Sequence, residues 1–259
     1  MTEEKIIISI QGGVKLEGLL RKPPGDGPFP AVIFVPGLGM TMHEWNNSFD
    51  KIAQQLVTIG IVTVQFTFPT FDAQGKCREL ALGKRGEIVE DVLFWVRQRG
   101  DVQKERIGVL AQSYGAVTVL GINTKGIHTL LFVSGAYFPL KSIARVYTEK
   151  GVKIDYNGDT SFPRSSGENT TVGKEFWKDI KTFDDIGYAK RINLPVLMVH
   201  GDHDSKIPVS DAQRVFDAIP SKQKKIEIFI GGDHGITDVP RVMREEFLGD
   251  VVEWFRKTL

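Results

Sequence analysis

The chain has 259 residues, 41% of them hydrophobic and 25% charged, which are the proportions of a globular protein rather than of a disordered or fibrous one. Its 33 lysine and arginine residues nearly balance its 32 aspartate and glutamate residues, so the net charge of +1 offers no field that would attract nucleic acid or an anionic membrane. No apolar run reaches the roughly 18 residues of a membrane-spanning helix, and a single domain over residues 1–259 is the default for this length.

Short apolar runs separated by glycine and proline predict a series of strands. The first two runs flank Gly12 and Gly13 and predict an opening hairpin. The run 31–35 is continuous, as expected for a strand that helices cover on both faces. The predicted strands are 6–10, 14–20, 31–35, 62–68, 106–110, 129–133, 196–200 and 225–230.

Apolar residues at helical spacing lie between these strands. The predicted helices are 45 to about 60, 86–99, 116–122, 210–218 and 240–257, the last with Asp238 as its N-cap. Between about 138 and 194 the alternation stops, and a segment rich in Gly, Ser, Thr and aromatic residues looks inserted. Alternating strands and helices form β-α-β units, so we expect an α/β protein with a mostly parallel sheet wrapped by helices. Ligands bind such sheets at the carboxyl ends of the strands.

One strand end carries a serine between small residues, in the sequence Ala111-Gln112-Ser113-Tyr114-Gly115. A sharp strand-to-helix turn strains the backbone of its central residue and requires small residues two positions before and after it. Such a turn exposes the Ser113 hydroxyl above the sheet, at the positive end of the next helix. The alternative is an ordinary packing site for small residues at a strand–helix junction.

This turn resembles the nucleophile elbow of the α/β-hydrolase family, although Ala111 stands where glycine is more common. The resemblance covers nearly the whole chain apart from the inserted segment. It implies an α/β-hydrolase fold with a mostly parallel, eight-stranded sheet flanked by helices. It also implies that a serine, an acid and a histidine follow one another in that order along the chain.

Two later strand ends match the rest of that pattern. After the strand VLMVH, the sequence GDHDSKIP resembles the family's Gly-x-x-Asp-x-x-(Val/Ile)-Pro loop, which selects Asp204 over Asp202. After the strand KIEIFI, the sequence GGDHG resembles the family's histidine loop and supplies His234. A serine becomes nucleophilic when an imidazole takes its proton, and a carboxylate on the other ring nitrogen orients that imidazole. We therefore predict that Ser113, Asp204 and His234 form a catalytic triad.

Acyl transfer also requires hydrogen-bond donors for the negative oxygen of the tetrahedral intermediate. One predicted donor is the backbone N–H of Tyr114, the residue after the nucleophile. The resembling family takes the other from the loop after its third strand, which usually begins His-Gly. That loop here reads Pro36-Gly37-Leu38-Gly39, and its position assigns the second donor to the N–H of Leu38.

A metal site is the alternative for the later loops, because they contain residue types that bind zinc: His200, Asp202, His203, Asp204 and His234. We favour the triad, since His200 lies inside a predicted strand as a core histidine bonded to the backbone, and no helix holds His203 beside a second ligand. No metal is expected. No nicotinamide fingerprint or phosphate loop is present either, so no cofactor is expected. Three other reactive residues are predicted to be non-catalytic: His43, His128 and Cys77.

The stretch WVRQRGDVQKERIG before the elbow resembles a subgroup of the family that contains dienelactone-hydrolase-like proteins, acyl-peptide-cleaving peptidases and small esterases. The compact size and the insertion before the acid strand are similar to cinnamoyl and feruloyl esterases, in which the insertion forms a lid. We therefore predict a lid at 139–190. Its aromatic residues either line an acyl or aryl pocket or pin the lid to the body: Tyr147, Tyr156, Phe162, Phe176, Trp177 and Phe183.

The predicted activity is that of a serine carboxylesterase acting on neutral esters, with short-to-medium acyl or hydroxycinnamoyl groups, through an acyl-enzyme. One alternative is an acyl-peptide or oligopeptide-cleaving serine peptidase, which in the resembling family usually carries an additional domain that this chain has no room for. Another is a hydrolase-fold module that binds a ligand without turning it over. The single cysteine and an N-terminus without a secretory signal favour the cytoplasm. The expected partner is a small-molecule ester, with no nucleic acid and no membrane span, and the sequence leaves monomer or homodimer open.

Overall fold

The computed structural model describes residues 1–163 and 169–259. The described residues contain eleven strands: β1 (Thr2–Ser9), β2 (Lys15–Lys22), β3 (Phe29–Val35), β4 (Val62–Phe66), β5 (Cys77–Arg78), β6 (Val102–Gln112), β7 (Thr129–Val133), β8 (Thr160–Pro163), β9 (Asn169–Val172), β10 (Val196–Gly201) and β11 (Lys224–Phe229). They also contain eight α-helices: α1 (Ser48–Thr58), α2 (Leu82–Arg97), α3 (Tyr114–Gly121), α4 (Pro139–Glu149), α5 (Lys174–Thr182), α6 (Asp185–Ala189), α7 (Val209–Ala218) and α8 (Arg241–Thr258). None of the helices in this part of the chain has the length and apolar character needed to cross a membrane.

Eight of the strands form one sheet in the order β1-β2-β4-β3-β6-β7-β10-β11. β2 is antiparallel to both β1 and β4, and every other pair is parallel. The predicted fold class, a mostly parallel eight-stranded sheet flanked by helices, is confirmed. The opening hairpin is confirmed as well, with β1 and β2 paired from Thr2 opposite Lys22 to Ser9 opposite Lys15.

Alternate residues of the central strands enter two separate apolar layers, because successive side chains of a strand point to opposite faces. In β3, Ala31, Ile33 and Val35 pack in the layer beneath α2, α3 and α7. Val32 and Phe34 pack on the other face, against α1 and α8. This burial on both faces explains why the strand appears in the sequence as an unbroken apolar run.

Two local predictions around Trp45 are corrected by the structure. Helix α1 begins at Ser48, and Trp45 lies before it in a 3-10 turn with 43% of its surface exposed. Asp238 is not the N-cap of α8, since that position is occupied by Pro240. The Asp238 carboxylate instead accepts hydrogen bonds from Trp45 Nε1 at 3.0 Å and Asn46 Nδ2 at 2.6 Å.

The segment 139–190 contains helices α4, α5 and α6 and strands β8 and β9; residues 164–168 of this predicted lid lie outside the described residues. β9 pairs antiparallel with β8 and parallel with β5, so a short piece of chain between β4 and α2 joins the inserted segment in a second, three-stranded sheet. The described part of this segment therefore packs on the body of the protein. It lies beside the carboxyl end of the main sheet, because its Phe176 ring is 5.4 Å from the ring of Tyr114.

Candidate active site

The residue at the end of β6, Ser113, has a strained backbone conformation. Its φ of 55° and ψ of −121° lie in a region that non-glycine residues rarely adopt. The Ser113 N–H donates to Val133 O at 2.9 Å, and its carbonyl accepts from the N–H of Ala136 at 3.0 Å. At Gly115 any Cβ would overlap the carbonyl oxygen of Val35 and lie 2.7 Å from that of Pro36. Glycine is therefore required at 115 for α3 to leave the strand so closely.

Ser113, His234 and Asp204 lie on the loops after β6, β11 and β10, and the structure brings their side chains together. Ser113 Oγ is 3.0 Å from Nε2 of His234, and Nδ1 of His234 is 2.7 Å from Oδ2 of Asp204. An ionised carboxylate can only accept hydrogen bonds, so Nδ1 carries the imidazole proton. Nε2 is then free to accept the proton of the serine hydroxyl.

The Asp204 carboxylate is enclosed by hydrogen-bond donors. Its Oδ1 accepts from the N–H groups of Lys206 and Ile207, both at 2.9 Å. Burial alone would raise the pKa of Asp204, but hydrogen bonds from His200 and His234 outweigh burial and hold this pKa well below its usual range. Asp204 is therefore ionised at neutral pH, as a group that orients an imidazole must be.

As the predicted general base, His234 has the opposite requirement, because a base must be neutral to accept a proton. Burial lowers the pKa of His234 below its ordinary value of 6.5, even though the neighbouring Asp204 acts to raise it. The imidazole is consequently uncharged at neutral pH, with its free Nε2 lone pair directed at Ser113.

The turn Pro36–Gly39 follows β3, and one of its N–H groups has no acceptor among residues 1–163 and 169–259. Its neighbouring N–H groups are all hydrogen-bonded: Gly37 to Glu44 Oε1 at 2.8 Å, Gly39 to Glu79 Oε2 at 2.6 Å, and Met40 to Gly37 O at 3.4 Å. The N–H of Leu38 donates to no residue in the described part of the chain. The same holds for the N–H of Tyr114, the first residue of α3, where the helix dipole also favours negative charge. These are the two donors that the sequence predicts for the oxyanion.

A cavity of about 480 Å³ opens beside the serine. Its lining includes Ser113, His234, Leu38 and Tyr114, whereas Asp204 lies behind the imidazole. Apolar and aromatic side chains form much of the wall: Met40, Trp45, Ile143, Val146, Tyr147, Phe162 and Ile207. The predicted catalytic groups thus face a space of the size that protein pockets use for small ligands.

The aromatic residues of the segment 139–190 divide between the two predicted roles. Tyr147 and Phe162 line the cavity, with their ring centroids 4.1 Å apart. Phe176 and Trp177 are buried and pack edge-on against each other. Tyr156 packs on Trp177 at 5.2 Å. Phe183 stacks on Tyr188 at 4.8 Å, away from the cavity lining.

The alternative metal site finds no support in the described residues, where no group of three His, Cys, Asp or Glu side chains could hold a metal ion. His200 is a buried core histidine whose Nε2 lies 3.0 Å from Ile207 O, as predicted, but the sequence did not predict its 3.3 Å approach to Asp204. Asp202 accepts from the N–H of Gly231 at 2.6 Å and does not contact His234. Three residues predicted to be non-catalytic are absent from the cavity lining: His43, His128 and Cys77.

Three buried charged residues near the site were missed by the sequence analysis: Glu44, Glu79 and Arg85. Burial raises the pKa of Glu44, which lines the cavity, to about 7. Arg85 could have been found, because it falls on the apolar stripe of α2 three residues after Leu82 and four before Val89. The two glutamates lie in irregular loops, where no periodicity marks a residue as buried.

The sheet order, the strained serine and the loops that carry its neighbours define the chain as an α/β hydrolase. A profile of the prolyl oligopeptidase family matches residues 85–259, which is well over half of the chain. The chain belongs to the prolyl oligopeptidase family.

Individual relatives are distant. The chain is 25% identical to esterase EstD of Thermotoga maritima over 238 residues, covering 84% of this chain and 57% of EstD. It is 26% identical to the 2,6-dihydropseudooxynicotine hydrolase of Paenarthrobacter nicotinovorans, covering 93% of this chain and 62% of the relative. The chain thus spans only about three fifths of the length of these curated relatives.

The solved structure of Est1E from Butyrivibrio proteoclasticus superimposes with a TM-score of 0.79 at 19% identity, covering 98% of both chains. A second structure of that protein, with ferulic acid bound, gives a TM-score of 0.80. At this level of identity the similarity establishes the fold.

Proposed function

We propose that the chain is a serine carboxylesterase in which Ser113 is the nucleophile, His234 the general base and Asp204 the orienting acid. The observation that carries the proposal is the chain of contacts from Ser113 Oγ to His234 Nε2 at 3.0 Å and from His234 Nδ1 to Asp204 Oδ2 at 2.7 Å. The esterase and hydrolase among the relatives support the same reaction class.

The reaction begins when Ser113 Oγ attacks the ester carbonyl and its proton passes to His234 Nε2. Asp204 stabilises the imidazolium that forms. As the tetrahedral intermediate collapses, the ester C–O bond breaks and the imidazolium donates its proton to the departing alkoxide. A water molecule, deprotonated by His234, then attacks the acyl-enzyme and releases the carboxylic acid and the free serine.

The negative carbonyl oxygen of each tetrahedral intermediate binds to the N–H groups of Leu38 and Tyr114. Both lie in the cavity lining next to Ser113, and neither donates to another described residue. Each such preorganised donor typically contributes about 3 kcal/mol to lowering the barrier.

The substrate class that fits is a neutral ester with a short-to-medium acyl or an aryl group, including hydroxycinnamoyl groups. The cavity of about 480 Å³ has an apolar wall that includes Ile143, Tyr147 and Phe162. We further propose that the segment 139–190 acts as a lid within a single domain, because it contributes these three residues. Est1E, which binds ferulic acid in its solved structure, supports the aryl option.

Peptide hydrolysis is the second candidate, because the family that the chain belongs to is named for oligopeptidases. The same triad can cleave an amide, but an amine leaves less readily than an alkoxide and needs its proton from His234 at the moment of bond cleavage. A peptidase must supply that proton efficiently, so it would turn over blocked peptide amides readily, which an esterase does not.

The test is a substrate panel measured for wild type beside Ser113→Ala. It contains the p-nitrophenyl esters of acetate, butyrate and octanoate, methyl ferulate, and blocked dipeptide p-nitroanilides. We expect ester turnover that Ser113→Ala lowers by about 10^4-fold or more, with little or no amide turnover. Amide turnover comparable with ester turnover would favour the peptidase, and ester turnover that survives Ser113→Ala would contradict the proposed nucleophile.

A further inference from the structure

An ion pair is buried beneath the turn Pro36–Gly39. Arg85 Nη1 lies 2.8 Å from Glu79 Oε1, and the side chains are 1% and 0% exposed. Removing two charges from water is costly, and the attraction between them offsets the cost only when further hydrogen bonds satisfy both groups. The other oxygen of Glu79 and the other nitrogens of Arg85 make those further hydrogen bonds.

Both partners are bonded to the backbone of the turn, one at each end. Glu79 Oε2 accepts the N–H of Gly39 at 2.6 Å, and Arg85 Nη2 donates to the carbonyl oxygen of Pro36. These two contacts flank Leu38, whose N–H remains available. Because the ion pair links the two ends, a change in either partner alters the orientation of the peptide between them.

The same guanidinium also contacts the helix that carries the second donor. Arg85 Nε donates to Thr118 Oγ1 in α3 at 3.1 Å, and the guanidinium carbon lies 5.1 Å from the centre of the Tyr114 ring. The same carbon lies 3.8 Å from the centre of the Phe68 ring. One rigid planar group therefore connects the turn of Leu38 to helix α3.

We propose that Glu79 and Arg85 are positioning residues for the oxyanion hole: their ion pair fixes the N–H of Leu38 relative to the N–H of Tyr114. The inference rests on the proposed esterase function and extends it to two residues that do not line the cavity. Donors stabilise an oxyanion only when they already point at the place where the charge develops. The ion pair acts before the reaction, because it restricts the motion of the turn Pro36–Gly39 and so fixes the direction of the Leu38 N–H.

A purely structural role would make the same pair important for folding but not for the transition state. The two roles differ in their kinetics. Loss of oxyanion positioning lowers kcat and weakens binding of a tetrahedral analogue, while ground-state binding changes little. Loss of stability alone changes the amount of folded enzyme and leaves the kinetic constants of that folded enzyme as they were.

The test compares Arg85→Lys, Arg85→Met and Glu79→Gln with wild type on whichever p-nitrophenyl ester wild type hydrolyses best. Lysine keeps the charge but cannot bond Glu79, Pro36 and Thr118 together. We expect kcat to fall about 10-fold for Arg85→Lys and about 10^2-fold for Arg85→Met, with KM changed by less than about threefold. The inhibition constant of a trifluoromethyl ketone should increase by the factor by which kcat/KM falls. The inhibition constant of the carboxylic acid product should not change.

Two further variants keep the result interpretable if a single substitution prevents folding. Glu79→Gln/Arg85→Met removes both charges, so that no unpaired charge remains buried. Arg21→Lys is the matched control, because Arg21 is a buried arginine bonded to Glu3 and Asp50 and outside the cavity lining. It should lower the melting temperature without changing kcat.

The positioning role is overturned if folded Arg85 and Glu79 variants keep kcat within about threefold of wild type, or if their losses do not follow the affinity for the tetrahedral analogue. It is also overturned if Arg21→Lys lowers kcat as much as Arg85→Lys does when the two variants lose the same stability. Failure of the proposed function looks different, since wild type itself would then hydrolyse no ester of the panel.

Discussion

Nδ1 of His234 lies 2.7 Å from Oδ2 of Asp204, and the carboxylate presents that oxygen because its Oδ1 is already held by the backbone N–H groups at 206 and 207. His200 Nε2 approaches the same Oδ2 at 3.3 Å. Since Nε2 of His200 faces two acceptors, Oδ2 and the carbonyl oxygen of Ile207, it is the protonated ring nitrogen. The carboxylate is thus fixed in direction and in charge before any substrate binds.

This geometry distinguishes two aspartates that are only two residues apart. Asp204→Asn should lower kcat by up to about 10^4-fold, because an amide at this site cannot hold the imidazole in the tautomer that accepts the serine proton. Asp202→Asn is the matched control. It should retain nearly full activity, since the Asp202 carboxylate accepts a hydrogen bond from the N–H of Gly231 and does not contact His234. Ester hydrolysis of both variants, with circular dichroism to verify folding, checks the assignment. Near-normal activity of Asp204→Asn beside an inactive Asp202→Asn would show that the acid is misassigned.

The acid limb of the pH profile should lie lower than that of an ordinary histidine. Burial lowers the pKa of His234, so the imidazole stays neutral, with Nε2 able to accept a proton, down to a pH below 6.5. As pH falls through the pKa of His234, the imidazole becomes protonated and kcat/KM declines. Asp204 does not contribute, because its pKa is held well below this range.

The measurement is kcat/KM of an uncharged ester from about pH 4 to 9, with Glu44→Gln measured in parallel because the pKa of Glu44 is raised to about 7 in the same cavity. The limb assigned to His234 should persist in that variant. A midpoint above 6.5 that persists, or a profile that stays flat to the lowest pH at which the protein is folded, would exclude His234 as the base.

The parts of the fold that could be predicted are those in which one physical pattern dominates. β3 is a continuous apolar run because both its faces are covered, and α2 shows helical spacing because only one face is covered. The triad residues were predicted from the resemblance to the α/β-hydrolase family, which indicates a residue at each of three strand ends, and the parallel sheet explains why those strand ends lie together. The carboxyl ends of parallel strands meet at one edge of a sheet, so the loops that contain Ser113, Asp204 and His234 had to be neighbours.

What could not be predicted depends on contacts between segments that are distant in the sequence. Trp45 follows the apolar spacing of α1, yet its indole N–H bonds to Asp238, which is 193 positions away, and the helix starts after it. The same contact takes Asp238 away from its predicted role as the cap of α8. The pairing of β5 with β9 is of this kind too, since two-residue strands have no period to detect.

Gly115 offers a direct test of how closely α3 must approach the end of β3 and the turn Pro36–Gly39. Gly115→Ala should destabilise the protein by about 3 kcal/mol or more and remove activity, because its Cβ would overlap backbone carbonyl oxygens that cannot move aside. Gly249→Ala is the control in another helix, where nothing lies within 4 Å of the added Cβ. It should stabilise the protein by about 0.5 to 1 kcal/mol.

Urea unfolding of the two glycine variants, followed by ester hydrolysis, measures the difference. If Gly115→Ala unfolded at the same urea concentration as wild type and remained active, the close approach of α3 to Val35 and Pro36 would be wrong.

Glu44 should make the stability of the protein depend on pH in a window set by its two pKa values. Burial raises the pKa of Glu44 to about 7 from an ordinary value of 4.5. Between these values the unfolded carboxyl has lost its proton while the folded one keeps it, so the contribution of Glu44 to the free energy of unfolding falls as pH rises. Above about 7 the folded group is ionised as well, and the loss reaches its full size of about 3 kcal/mol.

Glu44→Gln removes this dependence and keeps an amide oxygen that can accept the N–H of Gly37, as Oε1 of Glu44 does at 2.8 Å. The free energy of unfolding of Glu44→Gln minus that of wild type should therefore increase with pH between about 4.5 and 7 and be constant above that range. Urea titrations at several pH values measure this difference, with Glu4→Gln at an exposed position as the control that should show no such increase. If the difference for Glu44→Gln were the same at every pH, burial would not raise the pKa of Glu44 as described above.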